Sequence, residues 1–174
     1  MNIAIVVMAF LPALLVAAAV FDLTSYTIPN FLPLTMIALF ATFLIAMAIK
    51  GHPLGGGEIG FHLLAGLVAL IAGMAVFAAG WVGGGDAKLF AAVALWFGWN
   101  DLYDYSILAT LLGGCFTIFL VTIRRVPLPA ILASQPWIAR LSSPKEDIPY
   151  GVALAVAALT VLPDTELYRL AAIS

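Results

Sequence analysis

Long apolar runs separated by short polar or glycine-rich breaks make up most of this chain. Because about 20 apolar residues span a bilayer, the breaks predict six membrane-spanning segments, at residues 3–21, 31–49, 59–82, 87–99, 105–123 and 148–162. Segments 87–99 and 148–162 are shorter than a full span, so their ends are the least defined. The runs lack the polar–apolar alternation of a membrane β-barrel. The pattern therefore predicts an all-α, polytopic membrane protein with about six transmembrane helices in one bundle.

Composition supports the membrane class. Hydrophobic residues are 64% of the 174 residues and charged residues only 9%, whereas soluble domains are about half apolar and a quarter charged. No polar stretch is long enough for a separate soluble domain, so we expect residues 1–174 to form one membrane domain. The net charge of −2 and the scattered cations offer no basic stripe for nucleic acid. Cys115 is the only cysteine, which excludes an intramolecular disulfide and a multi-cysteine zinc site.

The cations predict an orientation. Five of the seven Lys and Arg residues fall on one predicted side, namely Lys88, Arg124, Arg125, Arg140 and Lys145. Because cytoplasmic loops are enriched in Lys and Arg, this side is predicted to be cytoplasmic. The first apolar run lacks the basic region of a secretory signal, so we expect it to be retained as a helix.

Two aspartates lie at this predicted cytoplasmic edge. Asp22 ends the first apolar run, and Asp86 closes the sequence Gly83-Gly84-Gly85-Asp86. A carboxylate at membrane depth is costly and indicates a functional site. Two partly desolvated carboxylates that meet share a proton, so one can act as base and the other as acid. Structural explanations also exist, because Asp86 suits a helix N-cap and Asp22 a membrane-edge position.

The residues around Asp86 extend this hypothesis. Gly83 and Gly85 lack side chains and would let a substrate backbone approach the acid. Lys88 can tune the charge of the site, or it can act as a snorkelling anchor at the membrane surface.

Together these motifs resemble the type IV prepilin peptidases, which are GxGD-type intramembrane aspartic proteases. The resemblance rests on Asp22 with Ile28-Pro29-Asn30, on Gly83-Gly84-Gly85-Asp86-Ala87-Lys88, and on Ile148-Pro149-Tyr150-Gly151 before the last predicted helix. It implies that Asp22 and Asp86 form a catalytic dyad without metal or cofactor. It also implies a prepilin substrate, contact with the pilus assembly machinery, and a place in the inner (cytoplasmic) membrane. Residues expected to position substrate are Gly83, Gly85, Lys88, Pro149, Tyr150 and Gly151.

Departures from the larger family members refine the expectation. Bifunctional members carry a cytoplasmic domain with cysteine pairs and also methylate the new N-terminus, whereas here Cys115 is alone and the first loop is only a turn. The chain looks like the compact prepilin peptidases of tight-adherence pili. This likeness implies an endopeptidase without N-methyltransferase activity. Three alternatives stay open: an archaeal-type preflagellin peptidase, a small proton-coupled membrane transporter, and a noncatalytic assembly subunit.

Other polar and aromatic residues have simpler interpretations. His52, Glu58 and His62 match no standard metal-binding spacing and are predicted to form an interfacial polar loop. Aromatic residues near predicted span ends are interpreted as membrane-interface anchors, namely Trp81, Trp96, Trp99, Tyr103 and Tyr105.

Overall fold

The computed structural model describes residues 3–125, 129, 134–143 and 146–173. In these ranges every regular element is a helix, which confirms the all-α class. The elements are α1 (Ile3–Ser25), α2 (Phe31–Ile49), α3 (Gly56–Ala78), α4 (Gly84–Ile123), α5 (Pro136–Leu141), α6 (Tyr150–Val161), a 3-10 turn (Leu162–Asp164) and α7 (Glu166–Ile173). Lys145 lies outside the described residues, so its predicted place is not described.

The predicted count of six spans is not confirmed. Within the described residues, the four helices α1 to α4 are long and apolar enough to cross a membrane. A fifth span arises if Tyr150–Asp164 and Glu166–Ala172, which are bent by 51° against each other, cross as one. The predicted spans 87–99 and 105–123 both fall within α4, which is broken at Gly98.

Gly98 divides α4 into two arms, residues 84–97 and 99–123. Its φ of 70° and ψ of −174° are not helical and belong to a region that glycine alone occupies readily. Phe90 of the first arm stacks on Tyr105 of the second, with ring centroids 5.3 Å apart. Since these residues lie on opposite sides of Gly98, their contact shows that the chain reverses direction there.

His62 of α3 supports this reversal. Its ring contacts the Gly98 backbone, and its Nδ1 lies 2.9 Å from the carbonyl oxygen of Leu95. The break at Gly98 interrupts the helical hydrogen-bond ladder, and a buried carbonyl left there needs another partner. His62 is only 5% exposed, so the predicted interfacial polar loop is wrong for this residue.

Apolar packing joins the helices into one core. α3 packs against α4, α6 packs against both α1 and α4, and α2 packs against α1 and α4. Trp96 and Tyr105 are fully buried in this core, and the indole N–H of Trp96 donates to the Met36 carbonyl at 2.9 Å. These two residues are therefore not interface anchors, whereas Trp81, Trp99 and Tyr103 are exposed.

The helix ends follow local hydrogen bonds that the apolar pattern did not reveal. The α3 helix begins at Gly56, earlier than predicted, because the Glu58 carboxylate accepts a 2.6 Å bond from the Gly55 N–H. It ends near Gly80, whose φ of 75° suits glycine at a helix C-terminus. The next helix, α4, begins at Gly84 with Gly83 as its N-cap residue, so the Gly83-Gly84-Gly85-Asp86 segment forms its start.

Replacing Gly98 by alanine should destabilise the bundle. An added Cβ would lie 2.7 Å from Cε1 of His62, and alanine rarely adopts the φ of 70°. We expect Gly98→Ala to lower the free energy of unfolding by about 1–3 kcal/mol, measured by thermal unfolding in detergent. Gly114→Ala is the matched control, because an added Cβ there meets nothing within 4 Å. Equal stability of the Gly98 variant and the wild type would contradict this account of the turn.

Candidate functional site

The first acid, Asp22, lies in the last turn of α1. Its carbonyl accepts a hydrogen bond from the Tyr26 N–H at 2.9 Å. Tyr26 then leaves the helix with a left-handed φ of 56°, an uncommon conformation for a residue other than glycine. The Arg140 guanidinium lies 5.2 Å from the centre of the Tyr26 ring and so holds this residue by a cation–π contact.

The second acid, Asp86, lies in the first turn of α4. Its Oδ2 accepts a 3.0 Å hydrogen bond from the Gly83 N–H, as the third residue of a capping box does. A Cβ on Gly83 would lie 3.0 Å from the same oxygen. Glycine at this position therefore gives the carboxylate room to fold back over the helix start.

Gly151 at the start of α6 brings the acids together. Its backbone N–H interacts with the carboxylates of both Asp22 and Asp86, and the Val152 N–H interacts with Asp22. A Cβ on Gly151 would lie 2.8 Å from Asp22 Oδ2 and 2.7 Å from Ile28 Cδ1. No side chain fits there, because the carboxylate occupies the space.

Both carboxylates are buried and only partly satisfied. Asp22 is 4% exposed and Asp86 is 7% exposed. Oδ2 of Asp22 and Oδ1 of Asp86 are buried without a hydrogen-bond partner among the described residues. Buried polar atoms are normally paired, so an unpaired oxygen on each of two neighbouring acids indicates a functional role. Such a pair can hold one shared proton and exchange it with a reactant.

The other predicted site residues surround this pair in different ways. Gly85 packs against the α1–α2 turn, where an added Cβ would be 3.1 Å from Ile28 Cβ. Lys88 is exposed and its Nζ donates to Asn30 Oδ1 at 2.8 Å. Pro149 precedes α6 as its N-cap residue. These contacts show packing and positioning within the protein, and the predicted contact with substrate stays a prediction.

Tyr150 connects α6 to the second arm of α4. Its hydroxyl accepts a 3.3 Å hydrogen bond from Thr117, and its ring covers Gly113, where an added Cβ would be 3.4 Å away. The glycine in α4 thus allows the tyrosine to lie flat against the helix. This contact fixes the start of α6 beside the arm that follows Gly98.

Arg124 at the end of α4 is a positioning residue that the sequence did not reveal. Its guanidinium donates to three main-chain carbonyls, those of Leu141, Glu146 and Asp147, at 2.9, 3.1 and 2.9 Å. These carbonyls belong to the segment that leads into α6 and Gly151. Hydrogen bonds from charged donors are about twice as strong as neutral ones, so Arg124 anchors this segment.

The positive charge of Arg124 also acts on Tyr26. Burial raises the pKa of the Tyr26 hydroxyl above its ordinary value, and the nearby Arg124 charge opposes that change. The tyrosine therefore remains neutral at physiological pH and serves as an aromatic surface for Arg140.

Metal donors are not grouped in the part of the chain that the structure describes. No cluster of three or more His, Cys, Asp or Glu side chains there is arranged to hold an ion. The two aspartates therefore offer acid–base chemistry of their own, and the expectation that no cofactor takes part stays a prediction.

Comparisons with known proteins show which family the sequence resembles. A family model described as the type IV leader peptidase family matches residues 9–118, which include Asp22 and Asp86. The chain is 34% identical to a prepilin leader peptidase/N-methyltransferase of Aeromonas salmonicida (strain A449), over 51% of this chain and 39% of that protein. It is 35% identical to a protein of the same name from Dickeya chrysanthemi, over 45% of this chain and 24% of the relative. The chain thus spans less than half the length of these curated relatives. No solved structure matches it significantly.

Removal of the Arg124 guanidinium should loosen the start of α6. We expect Arg124→Gln to lower the free energy of unfolding by about 1–3 kcal/mol, because three carbonyls lose a charged donor. Amide hydrogen exchange at Gly151 and Val152 should become faster, measured by mass spectrometry of the peptide that contains them. Arg125→Gln is the matched control, since Arg125 is the next residue and is exposed. Unchanged exchange in the Arg124 variant would show that the anchor does not hold α6.

Proposed function

Because this chain belongs to the type IV leader peptidase family, we propose that it is a membrane-embedded aspartic endopeptidase that cleaves the leader peptide of prepilins. The relatives named above are prepilin leader peptidases, and the matched region contains both buried acids. Asp22 and Asp86 are the proposed catalytic residues. The substrate is a prepilin, with a hydrophilic leader followed by an apolar segment.

One observation carries this proposal, namely that two buried acids lie beside the start of α6, where the Asp22 carboxylate fills the space that a Cβ on Gly151 would need. Asp22 comes from the end of α1 and Asp86 from the start of α4. A structural N-cap explains one carboxylate at a helix start, but it does not explain a second, buried acid beside it. Two acids with unpaired oxygens can activate a water and protonate the leaving group, so they can support peptide hydrolysis without a covalent intermediate.

The reaction can be written with these groups alone. One carboxylate removes a proton from a water molecule, whose oxygen forms a bond with the carbonyl carbon of the scissile peptide. The other, protonated acid donates its proton to the leaving nitrogen as the carbon–nitrogen bond breaks. The base keeps the proton that it took from the water, so the pair again holds one shared proton.

The proposed activity is proteolysis without methylation, of the compact tight-adherence type. The relatives' names include an N-methyltransferase, and they are much longer than this chain. Helices α1 and α2 are joined here only by residues 26–30, and Cys115 is the single cysteine of the chain. The cysteine pairs that the larger members carry in that loop therefore have no counterpart between α1 and α2.

The placement of the acids also disfavours a proton-coupled transporter. A proton relay needs ionisable groups distributed across the membrane, whereas Asp22 and Asp86 lie together at one end of the bundle. The acids Glu58, Asp101 and Glu166 lie at the opposite end, where the Glu166 N–H is 3.3 Å from Asp101 Oδ2. Between these ends the buried side chains of the described core that carry a polar group are His62, Trp96 and Tyr105, and none of them is a carboxylate.

Charge supports a location of the dyad at the cytoplasmic face of the inner membrane. Among the described residues, three cations lie at the end of the bundle that carries the dyad. Lys88 contacts Asn30, Arg124 contacts the Asp147 carbonyl just before α6, and Arg140 contacts Tyr26. Cations near span ends favour the cytoplasmic side. A prepilin leader, which is hydrophilic, would reach the acids from that side.

The dyad should act as a unit in proteolysis. We expect Asp22→Asn and Asp86→Asn each to reduce cleavage of a purified prepilin by roughly a thousandfold or more, because an amide cannot hold or release the shared proton. The cut is located by mass spectrometry, and thermal unfolding checks that each variant is folded. Asp104→Asn is the control, since Asp104 is an exposed acid in the second arm of α4. Substantial cleavage by either dyad variant, or loss of activity with a chelator that zinc restores, would overturn the assignment.

The orientation predicts which loops react from outside the cell. In a Cys115→Ser background, we expect Gly57→Cys to react with a membrane-impermeant maleimide in intact cells. Gln135→Cys should react only after the cells are opened, because it lies at the end that carries the cations. Both positions are exposed in the structure, so a difference in labelling reports sidedness. The reverse pattern would place the dyad on the other face.

A further inference from the structure

A groove of about 580 Å³ begins at Asp86 and runs along α4. Its walls come from α3, from both arms of α4 and from the start of α6. The residues that matter most here are Asp86, Phe90, Ser106, Thr110, Gly114 and Tyr150. From Asp86 the groove extends toward Phe90 and Ser106, which lie nearer to the Gly98 turn. It therefore leads from one catalytic acid into the membrane depth of the bundle.

The surface of the groove is apolar. Its three hydroxyl residues all have partners within the protein. Ser106 donates to the Leu102 carbonyl at 2.6 Å, Thr110 donates to the Ser106 carbonyl at 2.8 Å, and the Tyr150 hydroxyl accepts from Thr117 at 3.3 Å. Among the described lining residues, Asp86 has the only carboxylate. A ligand that fills this space would bind through apolar contact and present a polar group only at the Asp86 end.

The length of the groove sets how much extended chain it can hold. From Gly114 to Ser106 the groove follows the second arm for about 12 Å, at a helical rise of about 1.5 Å per residue. An extended peptide advances roughly 3.3 Å per residue, which gives about four residues. An extended segment also exposes the peptide bonds that a helix would shield.

We propose that this groove binds the apolar residues that directly follow the scissile bond, about four of them in an extended conformation. The inference rests on the proposed function, and it adds how a substrate is held. A peptide is the proposed occupant because the groove is continuous with the dyad, since Asp86 forms part of its wall. The same walls would also accept a lipid acyl chain, so the experiment must distinguish these two occupants.

Gly114 offers a direct way to fill the groove. It lines the groove, and an added Cβ there meets nothing within 4 Å, so a larger side chain enters the space without a clash. We expect Gly114→Leu to weaken binding of a prepilin peptide roughly tenfold or more. Cys115→Leu is the matched control, since Cys115 is the next residue, is exposed and does not line the groove.

Binding and cleavage are measured separately. Binding uses a fluorescent prepilin peptide in detergent and an Asp22→Asn background, in which turnover is removed and the groove is unaltered. Cleavage uses the active protein, where Gly114→Leu should raise KM more than it lowers kcat. Thermal unfolding of each variant shows whether the added side chain disturbs the fold, and Gly114→Ala provides a smaller change at the same site.

A change in the peptide identifies the occupant. Two peptides are compared that carry leucine or alanine at the four positions after the cut. We expect Gly114→Leu to weaken binding of the leucine peptide much more than binding of the alanine peptide. The leucine side chains of the enzyme and of the peptide would then compete for the same volume. Equal effects on both peptides, as a lipid in the groove would give, or no effect on either, would overturn the inference.

The proposed function can fail independently. If the wild-type protein cleaves no prepilin, the protease assignment fails, while size-dependent binding in the Asp22→Asn background still reports an apolar peptide groove. If the wild type cleaves prepilin and the Gly114→Leu protein binds and cleaves both peptides like the wild type, the groove proposal alone is wrong.

Discussion

The burial of two carboxylates in an apolar bundle is the constraint on which the site depends. Asp22 and Asp86 are almost completely removed from solvent, and an ionised carboxylate is costly there unless it is hydrogen-bonded. Both are met by helix N-termini, Asp86 by the Gly83 N–H of its own helix and Asp22 by the first N–H groups of α6. Such N–H groups are unpaired within the helix and lie at the positive end of its dipole. The start of a helix can therefore stabilise charge at membrane depth.

Close backbone approach is the second condition for this arrangement. Gly85 and Gly151 both contact Ile28 of the α1–α2 turn, at distances that leave no room for a side chain without a shift. Ile28 is itself buried, so three chain segments meet at one apolar residue beside the acids. The glycines of the GGGD motif are explained at Gly83 and Gly85 by packing and capping within the protein. Clearance for a substrate, which the sequence suggested, is an additional proposal for the same residues.

The sequence was sufficient to predict the all-α class and the long apolar helices α1 to α3, and to single out Asp22 and Asp86 as candidates, because these signals are local. The predicted segment 31–49 has the same bounds as α2, since an apolar run and its polar ends define such a helix. The predicted spans 87–99 and 105–123 imply a reversal between them, but they did not place it at Gly98, where the long-range contact with His62 supports the turn. Arg124 was interpreted as a topology signal. Its hydrogen bonds join α4 to residues 141–147, which no periodic pattern can reveal.

These contacts make α6 the element that assembles the site. Helix α6 packs against both α1 and α4, which carry one acid each, and its first N–H groups face both carboxylates. Its own start is held from two directions, by Tyr150 against Gly113 and Thr117 and by Arg124 through the preceding carbonyls. A displacement of α6 would remove hydrogen bonds from buried carboxylates and leave their charge uncompensated. The separation of the two acids is therefore set by a helix that carries neither of them.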